Sequence, residues 1–320
     1  MQQYIIRRLI YLVPVVIGVS LITFTLMRVM PGDVAVVALG TNATEESLAE
    51  FRHAYGLDKP LFDWRPPFGQ YGEWMGGFLK GDFGKSYFHR TPVRDELANR
   101  LPVTMQLAIM SLFITLIPAI PAGVIAALRP NSPIDLVTRT GAVLGLSIPS
   151  FWLGTLFILL PAIWFNWTPP FGRVSFLDDP VKNLQQFTLP ALAMSIPSMA
   201  GIVRLVRSSV LEVLRQDYVR TARSKGLRET IVIWRHVLKN GLIPVVTVIG
   251  MALGALLGGA VIIESIFALP GVGLFGLQAI LGRDYLAVQS LVMLGALLVV
   301  VMNLVTDISY VWFDPRIRYT

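Results

Sequence analysis

The sequence predicts an all-α integral membrane protein with six transmembrane helices and an extracytoplasmic cap between the first two. Of the 320 residues, 54% are hydrophobic and only 15% are charged, whereas soluble proteins carry about 25% charged residues. A helix needs about 20 apolar residues to cross the hydrocarbon core. Six windows without Asp, Glu, Lys or Arg are long enough: Leu9–Met27, Leu101–Leu128, Thr140–Gly172, Asn183–Val203, Asn240–Ile263 and Tyr285–Thr306.

The first window has features of both a signal peptide and a transmembrane helix. Arg7 and Arg8 precede it, as basic residues precede the apolar part of a secretory signal. Its apolar stretch is longer than the usual about 7–15 residues, and no small-x-small cleavage pattern follows Met27. We therefore expect residues 1–30 to form a cytoplasmic N-terminus and an uncleaved transmembrane helix.

Residues 31–100 combine acidic and basic side chains with scattered aromatic ones such as Trp74 and Tyr87. A helical pattern runs from Thr44 to Tyr55, and Gly and Pro residues interrupt the segment after it. A flexible connector is the alternative, but disordered linkers are poor in aromatic residues. We expect a small ordered cap that rests on the outer membrane surface, partly through Trp and Tyr at the interface.

Residues 101–312 hold the remaining five windows, and residues 313–320 form a cytoplasmic tail. The Thr140–Gly172 window is too long for one span, and Pro169 and Pro170 break its end. We expect that single helix to end near Trp164. Three prolines inside the apolar windows are expected to bend their helices: Pro149, Pro190 and Pro197.

The loop charges predict the orientation. An even number of spans places both termini on one side, and that side collects most of the Lys and Arg residues of the short loops. The opposite short loops contain only Arg173, Lys182 and Arg283. Because short cytoplasmic loops are enriched in Lys and Arg, both termini are expected to be cytoplasmic.

The inner segment 204–241 is strongly basic and allows three interpretations. It is a solvated loop attracted to anionic lipid, a nucleic-acid contact that lacks a recognisable fold, or a docking element. The third has local support, because Val219, Ala222 and Arg223 share one helical face and Gly226 follows. A short helix with small side chains, stopped by glycine, can seat closely in the groove of a partner.

Tyr218–Leu227 and Trp234–Val246 closely resemble the EAA loop of ABC-importer permease subunits, specifically the dipeptide/oligopeptide branch. The resemblance covers nearly the whole chain. Its other signatures are Met30–Asp33, Tyr55–Pro60, Lys80–Ser86, Glu264–Gly273, Arg283–Tyr285 and Asp314–Tyr319. The glutamate and first alanine of the general EAA pattern are replaced by Arg220 and Thr221, which leaves the contacts of the missing glutamate undefined.

The resemblance implies the type I ABC importer permease fold in a bacterial or archaeal cytoplasmic membrane, and a channel for short peptides without an ATPase of its own. No cofactor is expected in this chain, since ATP and Mg would bind to partner subunits. The implied partners are a second homologous permease subunit, two cytoplasmic ATP-binding subunits and an extracytoplasmic substrate-binding protein, in a lipid bilayer and without nucleic acid. The residues implied to couple to the ATP-binding subunit are Tyr218, Arg220, Thr221, Ala222, Arg223, Lys225, Gly226 and Leu227.

Within this loop, Ala222 and Gly226 are expected to be small because bulk would hold the helix out of its socket. The basic residues Arg220, Arg223 and Lys225 either pair with acidic groups of the ATP-binding subunit or are simply solvated.

Gly250, Gly254 and Gly258 recur every four residues in the fifth window. Small residues at this spacing allow close helix approach, either within the chain, between subunits or at a sliding gate. Charged and polar side chains near the spans either line a pathway or form structural pairs. These are Glu264, Asp307, Asn303 and Gln106, with Ser111, Ser147, Ser150, Ser195 and Ser198 as further polar groups.

An enzyme is not expected from this sequence. It has no cysteine, and His53, His89 and His236 form no grouping with metal-ligand spacing. Gly84-Lys85-Ser86 resembles the end of a phosphate-binding loop but lacks the earlier glycine of that motif. The alternatives are the same machinery importing a nickel chelate, an opine or an oligosaccharide, an ion-coupled secondary transporter, and an intramembrane enzyme.

Overall fold

The computed structural model describes residues 2–29, 32–40, 43–63, 65 and 69–313, and the side chains of 2–9, 12, 251–259 and 306–313 lie outside this description. This part of the chain is helical and forms no strand beyond a single bridge between Lys85 and Pro92. The helices are α1 Gln2–Val29, α2 Val34–Leu39, α3 Glu45–Ala54, α4 Gly69–Leu79, α5 Val93–Leu128, α6 Pro133–Ser147, α7 Ser150–Phe165, α8 Pro180–Leu214, α9 Asp217–Ser224, α10 Glu229–Ile231, a π-helix Val232–Leu238, α11 Lys239–Gly241, α12 Ile243–Ile266, α13 Val272–Leu281 and α14 Tyr285–Phe313.

Length and composition identify the candidate membrane spans. Among the described residues, three helices are long and apolar enough to cross a membrane: Val93–Leu128, Pro180–Leu214 and Tyr285–Val305. Two bent pairs raise the number to five if each pair is one span: α6 with α7, and Glu229–Gly241 with Ile243–Gly250. The described apolar part of α1, Val13–Val29, is shorter, so the sixth span stays a prediction.

The single helix predicted from Thr140 to near Trp164 is wrong. It is divided into α6 and α7, which meet at an angle of 90°. Because a proline disfavours helical backbone in the residue before it, Ile148 is extended in front of Pro149, with φ −96° and ψ 119°. The bend predicted at Pro149 is thereby confirmed, whereas Pro190 and Pro197 both lie inside the uninterrupted α8.

The chain divides into two compact units, Met1–Val103 with Gly271–Val300, and Thr104–Pro270 with Val301–Thr320. The first unit contains the residues predicted to form the cap. The helix predicted from Thr44 is α3, whose N-terminus is capped where the Thr44 side chain accepts a hydrogen bond from the Ser47 N–H. Phe24 of α1 is fully buried, and its ring lies 5.3 Å from Tyr71 and 6.1 Å from Trp74. Aromatic packing therefore holds α4 against α1.

Asp284 is a buried carboxylate in the same unit that accepts several hydrogen bonds. It is 2% exposed, and its carboxylate accepts hydrogen bonds from Ser86 Oγ at 2.5 Å, Tyr87 N at 3.1 Å and Ala287 N at 3.3 Å. These bonds join the turn before α5 to the first turn of α14, although the two segments are 198 residues apart in sequence.

The second unit packs α6, α7 and α12 against α8. Its core is aliphatic, and Val206 and Val210 of α8 are fully buried there. The approach of α5 to α8 is unusually close at Gly123. A Cβ atom added to Gly123 would lie 2.7 Å from the Cβ of Val206 and 2.9 Å from the carbonyl oxygen of Val203. This crossing therefore requires glycine.

We expect Gly123→Ala to lower the free energy of unfolding by about 1–3 kcal/mol, the usual cost of overpacking a core. The new methyl group meets α8 backbone, which cannot move aside without shifting the helix. Thermal unfolding in detergent measures the loss. Gly141→Ala is the matched control, because nothing lies within 4 Å of its added Cβ. Equal unfolding temperatures for the two variants would contradict the close helix crossing.

Candidate functional site

The helix predicted in Tyr218–Leu227 is present as α9, Asp217–Ser224. It ends where Gly226 adopts φ +71°, a backbone conformation that favours glycine. The turn is closed by hydrogen bonds from Gly226 N to the Arg223 carbonyl at 2.9 Å and from Leu227 N to the Ala222 carbonyl at 3.4 Å. The local sequence therefore determines both the helix and its end.

One face of α9 is buried in its own chain. Val219 is fully buried and Ala222 is 6% exposed, in the same aliphatic cluster as Val232 and Val237 of the π-helix. Ala222 thus seats α9 on the π-helix of its own subunit. The small side chain of Ala222 is therefore packed inside the chain, and its predicted role in coupling stays a prediction.

Polar contacts fix α9 at both ends. The hydroxyl of Tyr218 accepts a hydrogen bond from Asn240 Nδ2 at 2.8 Å and donates to the His236 carbonyl at 3.4 Å. Arg223 donates to both carboxylate oxygens of Glu229, at 2.6 Å and 3.1 Å. The hydrogen bond to Glu229 raises the pKa of Arg223. These contacts link α9 to the segment that leads into α12.

The opposite face of α9 is exposed and presents Arg220, Thr221 and Lys225. Arg220 forms an exposed ion pair with Asp217 three residues earlier, with 3.7 Å between the guanidinium nitrogen and the carboxylate oxygen. Leu227 continues this surface with an apolar side chain that is 39% exposed. The outward face thus combines exposed positive charge with a small apolar area.

The polar residues predicted near the spans form pairs inside the second unit. Glu264 is fully buried and accepts a hydrogen bond from Thr104 Oγ1 at 2.6 Å. Gln106 and Asn183 exchange hydrogen bonds between their side-chain amides. Asn303 is exposed, and the side chain of Asp307 lies outside the described residues. Pairing of Glu264 and Gln106 with residues of the same chain favours the structural alternative for both.

A small cavity of about 260 Å³ lies between α5, α8 and α12. Three hydroxyl groups reach it, from Ser111, Thr115 and Ser198, while its other walls are mainly apolar. Ser195 lies behind it, fully buried, and donates to the Ser111 carbonyl at 3.0 Å. The structure therefore brings several of the predicted polar residues to one place.

The glycine stripe of α12 is only partly described. Gly250 is buried, and α12 packs against α7 and α8 of the same chain. Near the end of α12, an added Cβ on Gly154 of α7 would lie 3.3 Å from Ile263. The surroundings of Gly254 and Gly258 lie outside the described residues, so their role stays a prediction.

Comparison with known proteins identifies the family. Residues 119–319 match the family model for the binding-protein-dependent transport system inner membrane component, and residues 1–108 match the model for the N-terminal part of such membrane components. The chain belongs to this family of transport-system membrane components. The family resemblance expected from the EAA-like loop is confirmed, and the matched family is one of membrane components of transport systems.

Curated relatives of this membrane component match over their whole length. A putative peptide transport system permease protein of Brucella abortus is 40% identical over 319 residues, covering 100% of both chains. The oligopeptide transport system permease protein AppB of Bacillus subtilis is 36% identical, also with 100% coverage of both. The dipeptide transport system permease protein DppB of Escherichia coli is 38% identical, covering 100% of this chain and 99% of the relative.

The fold is shared with a solved transporter. A chain of the MetNI methionine ABC transporter, in an inward-facing conformation, superposes with a TM-score of 0.54 at 18% identity. The match covers 68% of this membrane component and 96% of the other chain. At this identity the similarity concerns the fold alone.

Sequence reasoning missed two features of the surface around α9. Trp234 is 70% exposed and Ile231 is 42% exposed, and neither is among the coupling residues predicted from the sequence. Trp234 also lies in the π-helix, a rare wide-turn geometry that is often found at functional sites. The available signal in the sequence was a tryptophan inside the strongly basic segment 204–241.

Proposed function

We propose that this chain is the channel-forming permease subunit of an ATP-driven importer that moves short peptides across the cytoplasmic membrane by alternating access. The observation that carries the proposal is full-length similarity, at 36–40% identity, to proteins named as peptide, dipeptide and oligopeptide permeases. The exposed face of α9 supplies the surface that such a subunit needs for a motor partner.

The proposed architecture is the type I importer permease fold with six spans and cytoplasmic termini. Residues 1–30 would provide the first span, 31–100 the extracytoplasmic cap and 101–312 the core, followed by the tail 313–320. The three candidate spans among the described residues, five if each bent pair is one span, and the fold shared with a MetNI chain support this arrangement. The asymmetric distribution of Lys and Arg supports the orientation.

In the proposed assembly, two permease subunits pair, each docks an ATP-binding subunit through α9, and a substrate-binding protein delivers peptide to the cap. ATP and Mg bind to the ATP-binding subunits, and this chain holds no cofactor. Shifting a two-state equilibrium from 1:99 to 99:1 requires about 5.5 kcal/mol of differential binding. ATP held between two motor subunits is a sufficient source of that free energy.

Four of the predicted coupling residues then have direct roles at the partner surface: Arg220, Thr221, Lys225 and Leu227. Tyr218 acts through Asn240 and the π-helix, so that movement of α9 reaches α12. Arg223 is engaged by Glu229 and keeps α9 in register with α10. The positive charges on the exposed face fit an acidic area on the partner.

The test is transport by the complete importer in proteoliposomes. We expect uptake of a labelled dipeptide that requires ATP and the binding protein, with no uptake when ADP replaces ATP. Unlabelled peptides should compete, whereas a nickel chelate, an opine and an oligosaccharide should not. Competition by one of those solutes instead of peptides would change the substrate class. Transport or ATP hydrolysis by this chain alone would overturn the proposal.

A further inference from the structure

A second, larger cavity of about 620 Å³ lies between α6 and α8. It shares Gly201 with the small hydroxyl-lined cavity but has a different chemistry. Its lining residues are Arg139, Val143, Leu146, Gly201, Arg204, Leu205, Arg207 and Ser208. Three of these eight side chains are arginines and none is acidic, so an anionic ligand is favoured.

Arg207 is fixed in place at the base of this cavity. It donates to both oxygens of the fully buried Asp135, at 2.5 Å and 2.8 Å. Asn131 N also donates to Asp135, at 2.9 Å, so the carboxylate is well supplied with donors. A guanidinium carries five N–H groups, and this pair uses two of them. Arg207 therefore lines the cavity from a position that the pair with Asp135 holds in place.

Arg139 and Arg204 provide the exposed part of the positive charge. Both are exposed at the mouth of the cavity. Asp135 offsets the charge of Arg207, and the other two arginines that line the cavity leave its lining positively charged. Arginine binds phosphate groups, as it binds carboxylates, through paired N–H donors, so three arginines at one cavity suit an anionic group such as a phosphate.

The apolar part of the cavity lining continues onto an exposed apolar surface of α6. Val143 is 58% exposed and Leu146 is 44% exposed in α6. On the same helix, Leu136, Val137 and Leu144 are each at least 60% exposed. A ligand that has an anionic group and long apolar chains would satisfy both surfaces, whereas a small soluble anion would use only the arginines.

We propose that this cavity binds the phosphate headgroup of an anionic phospholipid, with the acyl chains lying along α6. The loop charges predict a cytoplasmic position for Arg139 and Arg204, and basic pockets between transmembrane helices on that side bind anionic headgroups. The inference goes beyond peptide import and does not depend on which solute is carried. Bound lipid would join α6 to α8 just before the chain enters α9.

Native mass spectrometry of the purified full-length protein tests this site. We expect the protein to retain added phosphatidylglycerol in preference to phosphatidylcholine. Arg139→Gln with Arg204→Gln should reduce the phosphatidylglycerol-bound fraction about tenfold or more. The matched control is Arg215→Gln with Arg228→Gln, which removes the same charge from exposed positions outside the cavity and should retain the lipid.

A cavity-filling variant distinguishes lipid binding in the cavity from lipid attraction by general surface charge. Leu146→Trp leaves every arginine in place, and we expect it to weaken phosphatidylglycerol retention as well. Equal loss in both double variants would overturn the proposal, as would displacement of bound lipid by millimolar inorganic phosphate. Efficient disulfide formation between two copies of Leu146→Cys would show that a second permease subunit covers the cavity instead, and would also overturn it.

Discussion

Gly226→Val is expected to abolish substrate-stimulated ATP hydrolysis by the assembled importer while leaving the chain inserted in the membrane. Gly226 has φ +71°, and a residue with a Cβ pays about 1–2 kcal/mol for this left-handed backbone, with a further penalty for a β-branched one. The cost is local, because the turn lies after α9 and outside the aliphatic core. It displaces Lys225 and Leu227, which are on the proposed docking surface.

The matched variant Gly226→Asn distinguishes two reasons for glycine at this position. Asparagine tolerates left-handed backbone far better than valine, and an added Cβ on Gly226 has no neighbour within 4 Å in its own chain. If backbone conformation is the requirement, the asparagine variant should retain most of the stimulated activity. If bulk is excluded by the socket of the partner, as the sequence predicts, both variants should fail.

The measurement is ATP hydrolysis by the purified complex in nanodiscs, with and without peptide-loaded binding protein. Co-purification of the ATP-binding subunits shows whether docking itself is lost. Membrane insertion of the variant chain is checked in parallel. Normal stimulation in the valine variant would refute the assignment of Gly226 to the coupling surface.

The membrane helices were predictable in location but not in length. An apolar window ends at its first charged residue, yet α8 continues past Arg204 and Arg207 to Leu214. Similarly, α6 begins at Pro133, before the window that starts at Thr140. The charged turns at these helix ends lie beyond the apolar windows. Hydropathy therefore reports the length of the apolar stretch rather than the length of the helix.

The effect of each proline depends on its surroundings and was not predictable from sequence. Pro149 separates α6 from α7, whereas Pro190 is buried within a continuous α8. Long-range polar pairs also lack a local signal. Asp135 and Arg207 are 72 residues apart, and neither residue type predicts the other.

Those features of the candidate site that depend on neighbouring residues in the sequence were predictable. The small residues before Gly226 indicate a short helix and its end, and both are present in α9. Which face is buried depends instead on the π-helix, against which Val219 and Ala222 pack. For the same reason, the link from Tyr218 to Asn240 became visible only in the structure.

Asp284→Ala is expected to be the most destabilising substitution in the first unit. Asp284 is almost fully buried and accepts from Ser86 Oγ, Tyr87 N and Ala287 N. Hydrogen bonds to a charged group contribute about 1.5–3 kcal/mol each. Losing all three while leaving the donors buried should cost about 3 kcal/mol or more. The turn before α5 would then detach from the start of α14.

Two matched variants resolve the contributions around Asp284. Asp284→Asn retains one carbonyl acceptor and should lose less stability than the alanine variant. Ser86→Ala removes only the hydroxyl that bridges Asp284 and the His89 N–H, with an expected cost of about 1–2 kcal/mol. Thermal unfolding ranks the three variants by stability. Hydrogen–deuterium exchange across residues 84–93 shows whether the lost stability lies in this turn. The proposed coupling surface belongs to the other unit. Unchanged hydrogen–deuterium exchange in residues 84–93 of Asp284→Ala would mean that Asp284 does not anchor this turn.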